Sequence, residues 1–222
     1  MKTIKTTLLA ITALLALIST SSAASLSGVY VEVGTAAIGS ELDGKVVEVG
    51  TGAAKTGDTT TGSVGKTAVT TTYGLGYMFN KTGKFGIDIG YFMTPGEAKI
   101  KTTTTDSSAS NVTFEISDTE DYYIAPMLNI TDDASLYIKF GKTESDVKMT
   151  GDVKKINSME GDTVAIGTVM SWGSNLYIRT EAGMTDYDKL STLGLGTNIA
   201  TTTTVTASPS VHYGKIALGY KF

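Results

Sequence analysis

From Gly28 to the C-terminus the chain alternates apolar and polar side chains in eight stretches. The repeat is two residues, not the 3.6 of a helix, so each stretch reads as a strand. The last stretch is the most regular: Phe222, Tyr220, Leu218 and Ile216 share one parity, and Lys221, Gly219, Ala217, Lys215 and Tyr213 the other. Successive strand side chains face opposite ways, giving one apolar, aromatic face and one small, polar, cationic face. The other seven are Gly28 to Ile38, Lys66 to Phe79, Phe85 to Met93, Thr119 to Ile130, Ser135 to about Glu144, Met159 to Trp172 and Asn175 to Thr185. Pro126 interrupts one of them. Proline cannot donate to a ladder, so a bulge or irregular pairing is expected there.

The connections alternate in length. Asn80 to Lys84, Thr131 to Ala134 and Gly173-Ser174 are short and carry turn residues. Gly39 to Gly65, about Thr94 to Asp118, about Ser145 to Ser158 and Asp186 to Pro209 are long and rich in Thr, Ser and Gly. Without apolar periodicity they are expected to be solvated loops. An even number of antiparallel strands with short turns at one end and long loops at the other describes an all-β, up-and-down barrel that crosses a membrane.

The distribution of charge supports that reading. Glu32, Asp88, Lys139, Arg179, Glu181, Lys215 and Lys221 all share the parity opposite the apolar rows, and no charge stands on the apolar parity in mid-strand. A charge facing lipid at the midplane costs about 2–4 kcal/mol, so a bilayer enforces this segregation. A soluble lipocalin-like barrel would turn Phe85, Ile87, Ile89 and Tyr91 inward and its charges outward. Eight strands enclose a lumen just wide enough for side chains. The inward charges are therefore expected to pair, Arg179 and the lysines with Glu32, Asp88 and Glu181, into a closed plug. Tyr30, Tyr123, Tyr137, Tyr177 and Tyr213 are expected to fill its wider parts.

The N-terminus adds a compartment. Lys2 and Lys5 precede an apolar run from Leu8 to Ile18, and Ser19 to Ala24 supplies small residues for cleavage after Ala23 or Ala24. Residues 1–23 thus read as a secretory signal peptide and 24–222 as the barrel domain. No other stretch has the roughly twenty apolar residues of a membrane helix. The chain has no cysteine, so it is expected to hold without disulfides. The formal net charge is −4 and Arg179 is the single arginine, which argues against nucleic acid as a partner.

The C-terminal Lys215-Ile-Ala217-Leu-Gly-Tyr220-Lys-Phe222 resembles the assembly signal of bacterial outer-membrane barrels, with Ala217 where glycine is usual. The chain as a whole resembles the small eight-stranded barrels of the porin-like family that includes the OmpA transmembrane domain, OmpX and the opacity-type surface proteins. The resemblance implies a Gram-negative outer membrane and contact with its lipids and lipopolysaccharide. It also implies delivery by the barrel-assembly machinery, which reads Lys215, Ala217, Tyr220 and Phe222, and a monomeric state. Tyr73, Tyr77, Phe79, Phe85, Tyr91, Tyr122, Phe140, Trp172, Tyr220 and Phe222 are then expected to face lipid. Phe79, Phe85, Trp172 and Phe222, beside short turns or the terminus, would form the periplasmic girdle.

Candidate chemistry is sparse. Gly65-Lys66-Thr67 and Gly141-Lys142-Thr143 lack the earlier glycine of a phosphate loop, with Thr60 and Leu136 in its place. Outer-membrane barrel enzymes use histidine near the outer rim, but the one histidine, His212, has outward parity with only Ser210 close by. Asp132-Asp133 reads as turn chemistry rather than a calcium site. No enzyme activity, cofactor or metal is expected. The expected role is structural or surface-interacting, adhesion-like, through the long loops and toward a surface ligand the residues do not specify. A small passive pore is the alternative, and a lipid-modifying enzyme acting through His212 the third reading.

Overall fold

The computed structural model describes residues 27–49, 56–79, 84–101, 113–150, 153–193 and 204–222. The expected signal peptide, the turn residues 80–83 and the stretches 50–55, 102–112 and 194–203 lie outside them. The strands are β1 (Gly28–Val49), β2 (Thr56–Phe79), β3 (Phe85–Lys101), β4 (Thr113–Asn129), β5 (Ala134–Thr150), β6 (Ser158–Trp172), β7 (Leu176–Tyr187), β8 (Leu190–Leu193) and β9 (Thr204–Lys221). Neighbours pair antiparallel, and β9 closes the sheet on β1 from Tyr30↔Lys221 to Val47↔Thr204. β7 pairs with Ser210–Tyr220 of β9, and β8 pairs with Thr204–Ala207 of the same strand. β7 and β8 are therefore one stave interrupted at 188–189, and the barrel has the eight staves the alternation predicts.

The two faces of the wall differ as the parities require. β6 alternates exposed and buried positions from Ser158 to Met170. Its outward Val164, Ile166, Met170 and Trp172 are 47–65% exposed, and the row Phe85, Ile87 and Ile89 on β3 is 43–78% exposed. On staves such as β3 and β6 this apolar row spans about nine residues, which at about 3.3 Å per residue and a tilt near 40° rises roughly 23 Å. That is the height of an outer-membrane hydrocarbon layer. Phe79, Phe85, Trp172 and Phe222 stand exposed at one end of the band. At the other end the outward positions become charged, with Glu120, Lys142, Glu160, Asp162 and Asp186, and Lys142 pairs with Asp162 across β5 and β6. Tyr91 departs from its expected lipid contact: Tyr122, its ring centroid 4.9 Å away, covers it to 8% exposure.

The long connections are the main correction. Of the stretch Gly39 to Gly65, expected as loop, residues 39–49 and 56–65 belong to β1 and β2, which stay paired from Gly28↔Met78 to Val49↔Thr56. Residues 94–101, 113–118, 145–150, 190–193 and 204–209 are likewise strand. The eight staves continue well past the lipid band into the external water. There the outward face can be polar on any residue, so the apolar alternation ceases, while threonine and valine still favour the pleated backbone. The inside of this extension has its own core of Leu42, Phe114, Ile116, Val147, Met149, Val153, Met159 and Tyr187.

Pro126 produces no bulge. It pairs in register with Ile87, and β4 keeps its register with β5 past 125 and 126, where the ladder lapses. The bulge lies at Asp118, with φ +46° and register shifts toward both neighbouring strands. It turns Phe114 and Ile116 into the upper core on the parity that carries lipid-facing residues below.

The band assignment predicts a depth-dependent charge penalty. Ile166→Arg, at mid-band, should lower stability in lipid vesicles by about 2–4 kcal/mol, while Glu160→Arg at the outer end should cost about 0–1 kcal/mol. Reversible urea unfolding of both variants checks this, and equal costs would misplace the bilayer.

Candidate functional site: the lumen network

The lumen is filled in layers. In the lower layer the Arg179 side chain is wholly buried, and its Nε–H donates to Glu32 Oε2 at 2.8 Å while Nη2–H donates to Asp88 Oδ2 at 2.8 Å. β1, β3 and β7 supply these three groups from separate sides of the barrel, so the guanidinium ties the wall together across its axis. Tyr177 donates its hydroxyl to Glu32 at 2.8 Å, and Tyr30 and Tyr123 donate theirs to Asp88 at 2.9 and 3.1 Å. The rings of Tyr30, Tyr137 and Tyr177 lie 5.2–5.9 Å from the guanidinium carbon, within cation–π range. A planar, permanently charged fork suits this place because it reaches two carboxylates at once and offers its faces to rings.

The next layer is built on Lys139. Its ammonium donates to Asp121 Oδ2 at 2.7 Å and Glu181 Oε1 at 2.8 Å. Glu181 also accepts from Tyr137 at 2.6 Å and Tyr213 at 2.7 Å. Lys215 lies between the layers, 3.5 Å from Glu181 Oε1 and 3.8 Å from Glu32 Oε1. Higher again, Thr143, Thr163 and Thr185 form a hydroxyl chain, and Ser145 meets the Tyr187 hydroxyl at 2.8 Å.

Glycines make room for these rings. A Cβ at Gly219 would collide with the Tyr177 ring, and one at Gly167 with the Tyr137 ring. The glycines of the inward parity thus let tyrosines lie on the backbone of the neighbouring strand in a lumen too narrow for two full side chains.

Of the seven charges singled out in the sequence, Glu32, Asp88, Lys139, Arg179, Glu181 and Lys215 converge in this network, joined by the five tyrosines. Lys221 lies near the turn end of the barrel, its stem beside Gly28. Asp121 was missed, although it shares inward parity with Tyr123 one step nearer the membrane centre. The Thr143, Thr163 and Thr185 chain was also missed, because threonine fits either face of a strand. His212 is exposed on the outer wall, in register with Gly39 and Met184. Asp132 and Asp133 sit in the bend before β5, where Asp133 N–H donates to Thr131 Oγ1.

A closed antiparallel barrel with an apolar belt, an aromatic girdle and a charged interior defines a membrane-spanning β-barrel. Residues 9–222 match the family described as outer membrane protein beta-barrel domain, and the chain belongs to that family, an integral protein of the bacterial outer membrane. Among solved structures it resembles the outer membrane protein OprG from Pseudomonas aeruginosa, at 14% identity and TM-score 0.60, over 88% of this chain and 96% of that one. It also resembles the outer membrane protein AlkL, at 15% identity and TM-score 0.51, over 92% of this chain and 95% of that one. These likenesses are of fold. No curated protein matches by sequence.

Removing one partner of a buried pair leaves a bare charge. Arg179→Met should therefore cost about 3–5 kcal/mol, whereas Arg179→Met combined with Glu32→Gln and Asp88→Asn should recover most of it. Unfolding midpoints in lipid vesicles measure the difference. A harmless single substitution would show that Arg179 is not holding the plug.

Proposed function

We propose that this protein is a non-enzymatic, monomeric outer-membrane barrel with a sealed lumen that presents an extracellular surface for contact with other molecules or cells. One observation carries the reading: Arg179 bridges Glu32 and Asp88 across the barrel axis, with aromatic rings packed around it. A side chain ion-paired on two sides of an eight-stranded lumen leaves ions no wet path. The β-extension supports the second half of the reading. It carries paired strands with a packed core beyond the lipid band, so a partner would meet a shaped surface. Outer-leaflet lipopolysaccharide would surround the extension, and the Lys215, Ala217, Tyr220 and Phe222 pattern would serve recognition by the assembly machinery.

The test is conductance of the refolded mature chain in planar bilayers. The wild type should be silent, and Arg179→Ala with Lys139→Ala should give discrete steps because both layers of the plug lose their cation. Steady wild-type channels would overturn the sealed-barrel reading and assign passive transport instead.

A further inference from the structure

Asp121, Lys139 and Glu181 form a triad in the upper layer of the plug. The Lys139 nitrogen lies 2.7 Å from Asp121 Oδ2 and 2.8 Å from Glu181 Oε1, and the three side chains are 2% (Lys139), 11% (Asp121) and 0% (Glu181) exposed. The rings of Phe92, Tyr123 and Tyr213 surround that nitrogen, with centroids at 5.2–5.3 Å. An amine held against a carboxyl group in a water-poor, ring-lined site is one condensation step from an amide.

The two carboxylates are not equivalent. Glu181 accepts from Lys139, Tyr137 and Tyr213, and the Lys215 ammonium stands 3.5 Å away. Three donors and a second cation hold it as an anion, which suits a base and not an acyl group that must lose an oxygen. Asp121 accepts only from Lys139 and, at 3.4 Å, from the Thr143 hydroxyl. A Cβ at Gly141 would collide with Asp121 Oδ1, so this glycine lets the carboxyl group lean over β5 toward Lys139. Between the plug and the apolar core of the extension lies a cavity of about 220 Å3, lined in part by Asp121, Lys139 and Thr143. It has room and polar partners for a departing water.

The triad also sits where backbone pairing is weakest. The β4–β5 ladder shifts register between Ser117 and Glu120 and lapses again between Ile124↔Phe140 and Met127↔Tyr137. Asp121 lies in the short paired run between these interruptions, and Lys139 faces the second of them. A bond between the two side chains would staple the staves there.

We propose that Lys139 and Asp121 condense into an intramolecular amide, with Glu181 as the catalytic base. The ammonium passes one proton to Asp121, leaving an amine and a neutral carboxyl group. The nitrogen lone pair attacks Asp121 Cγ. Glu181 takes a second proton from the nitrogen and returns it to the leaving hydroxyl, and water departs into the cavity. One C–N bond forms, one C–O bond breaks, and no oxidant or activating reagent is consumed. Two buried charges become a neutral amide, which removes their desolvation cost. The joined side chains still fill the layer, so the lumen stays closed.

Intact mass spectrometry tests this on the mature protein, refolded and incubated in phosphatidylcholine vesicles and then unfolded for measurement. The chain should weigh one water less than its sequence, and a protease digest should yield a branched peptide joining Asp121 to Lys139. Chain kept in urea throughout should retain its full mass. Glu181→Gln should slow the loss at least about a hundredfold, and Asp121→Ala should abolish it. A wild-type chain of full mass would overturn the proposal, and this reading needs no variant to fold. Water lost within one unbranched peptide, as in an aspartyl succinimide, would also overturn it. So would a branch between other residues, equal loss in urea, or an unchanged rate in Glu181→Gln.

Discussion

The interior of this barrel depends on one cation. Arg179 has no water to fall back on, and Glu32 and Asp88 would repel each other across the same space without it. Each group is tolerable in the lumen only because the other two are present; tyrosine hydroxyls donate to Glu32 Oε2 and to both oxygens of Asp88, and the Lys215 ammonium stands 3.8 Å from Glu32 Oε1. The surrounding design follows from that triad. Glycines on the neighbouring staves clear space for the tyrosine rings, and Lys139 repeats the arrangement one layer up with Asp121 and Glu181.

The same wall meets two solvents. Within the lipid band the outward face must be apolar and the inward face carries the polarity. Beyond the band water lies outside, so the inward face becomes the apolar one, with Phe114, Val147 and Met149 in a core of their own. The inversion is sharpest on β4, where the bulge at Asp118 shifts the parity between Tyr122, which faces outward, and Ile116, which faces inward. The cavity sits at the level where one interior gives way to the other.

This division explains what was legible in the sequence. Strand positions, facing and the charged lumen could be read from Phe85 to Met93 or Met159 to Trp172 because lipid and lumen impose opposite chemistry on alternate residues. The extension was unreadable because water accepts threonine, serine and glycine on an outer face, so strands such as Thr56 to Val64 resemble loop. Convergence on Arg179 could be expected from parity and lumen width. The role of Asp121 and the lapses of the β4–β5 ladder on either side of it depend on three-dimensional neighbours that no local pattern encodes.

Since Arg179 is the chain's single arginine, its guanidinium can be observed without assignment. The most direct measurement is the hydrogen exchange of its Nε–H, followed by 15N NMR of the refolded mature protein in lipid nanodiscs. A guanidinium locked between Glu32 and Asp88 should give one sharp resonance that exchanges with water at least about a hundredfold more slowly than an exposed arginine, and that broadens or shifts in Asp88→Asn. Exchange at the rate of a free side chain would mean a wet lumen and would contradict the sealed barrel at its centre.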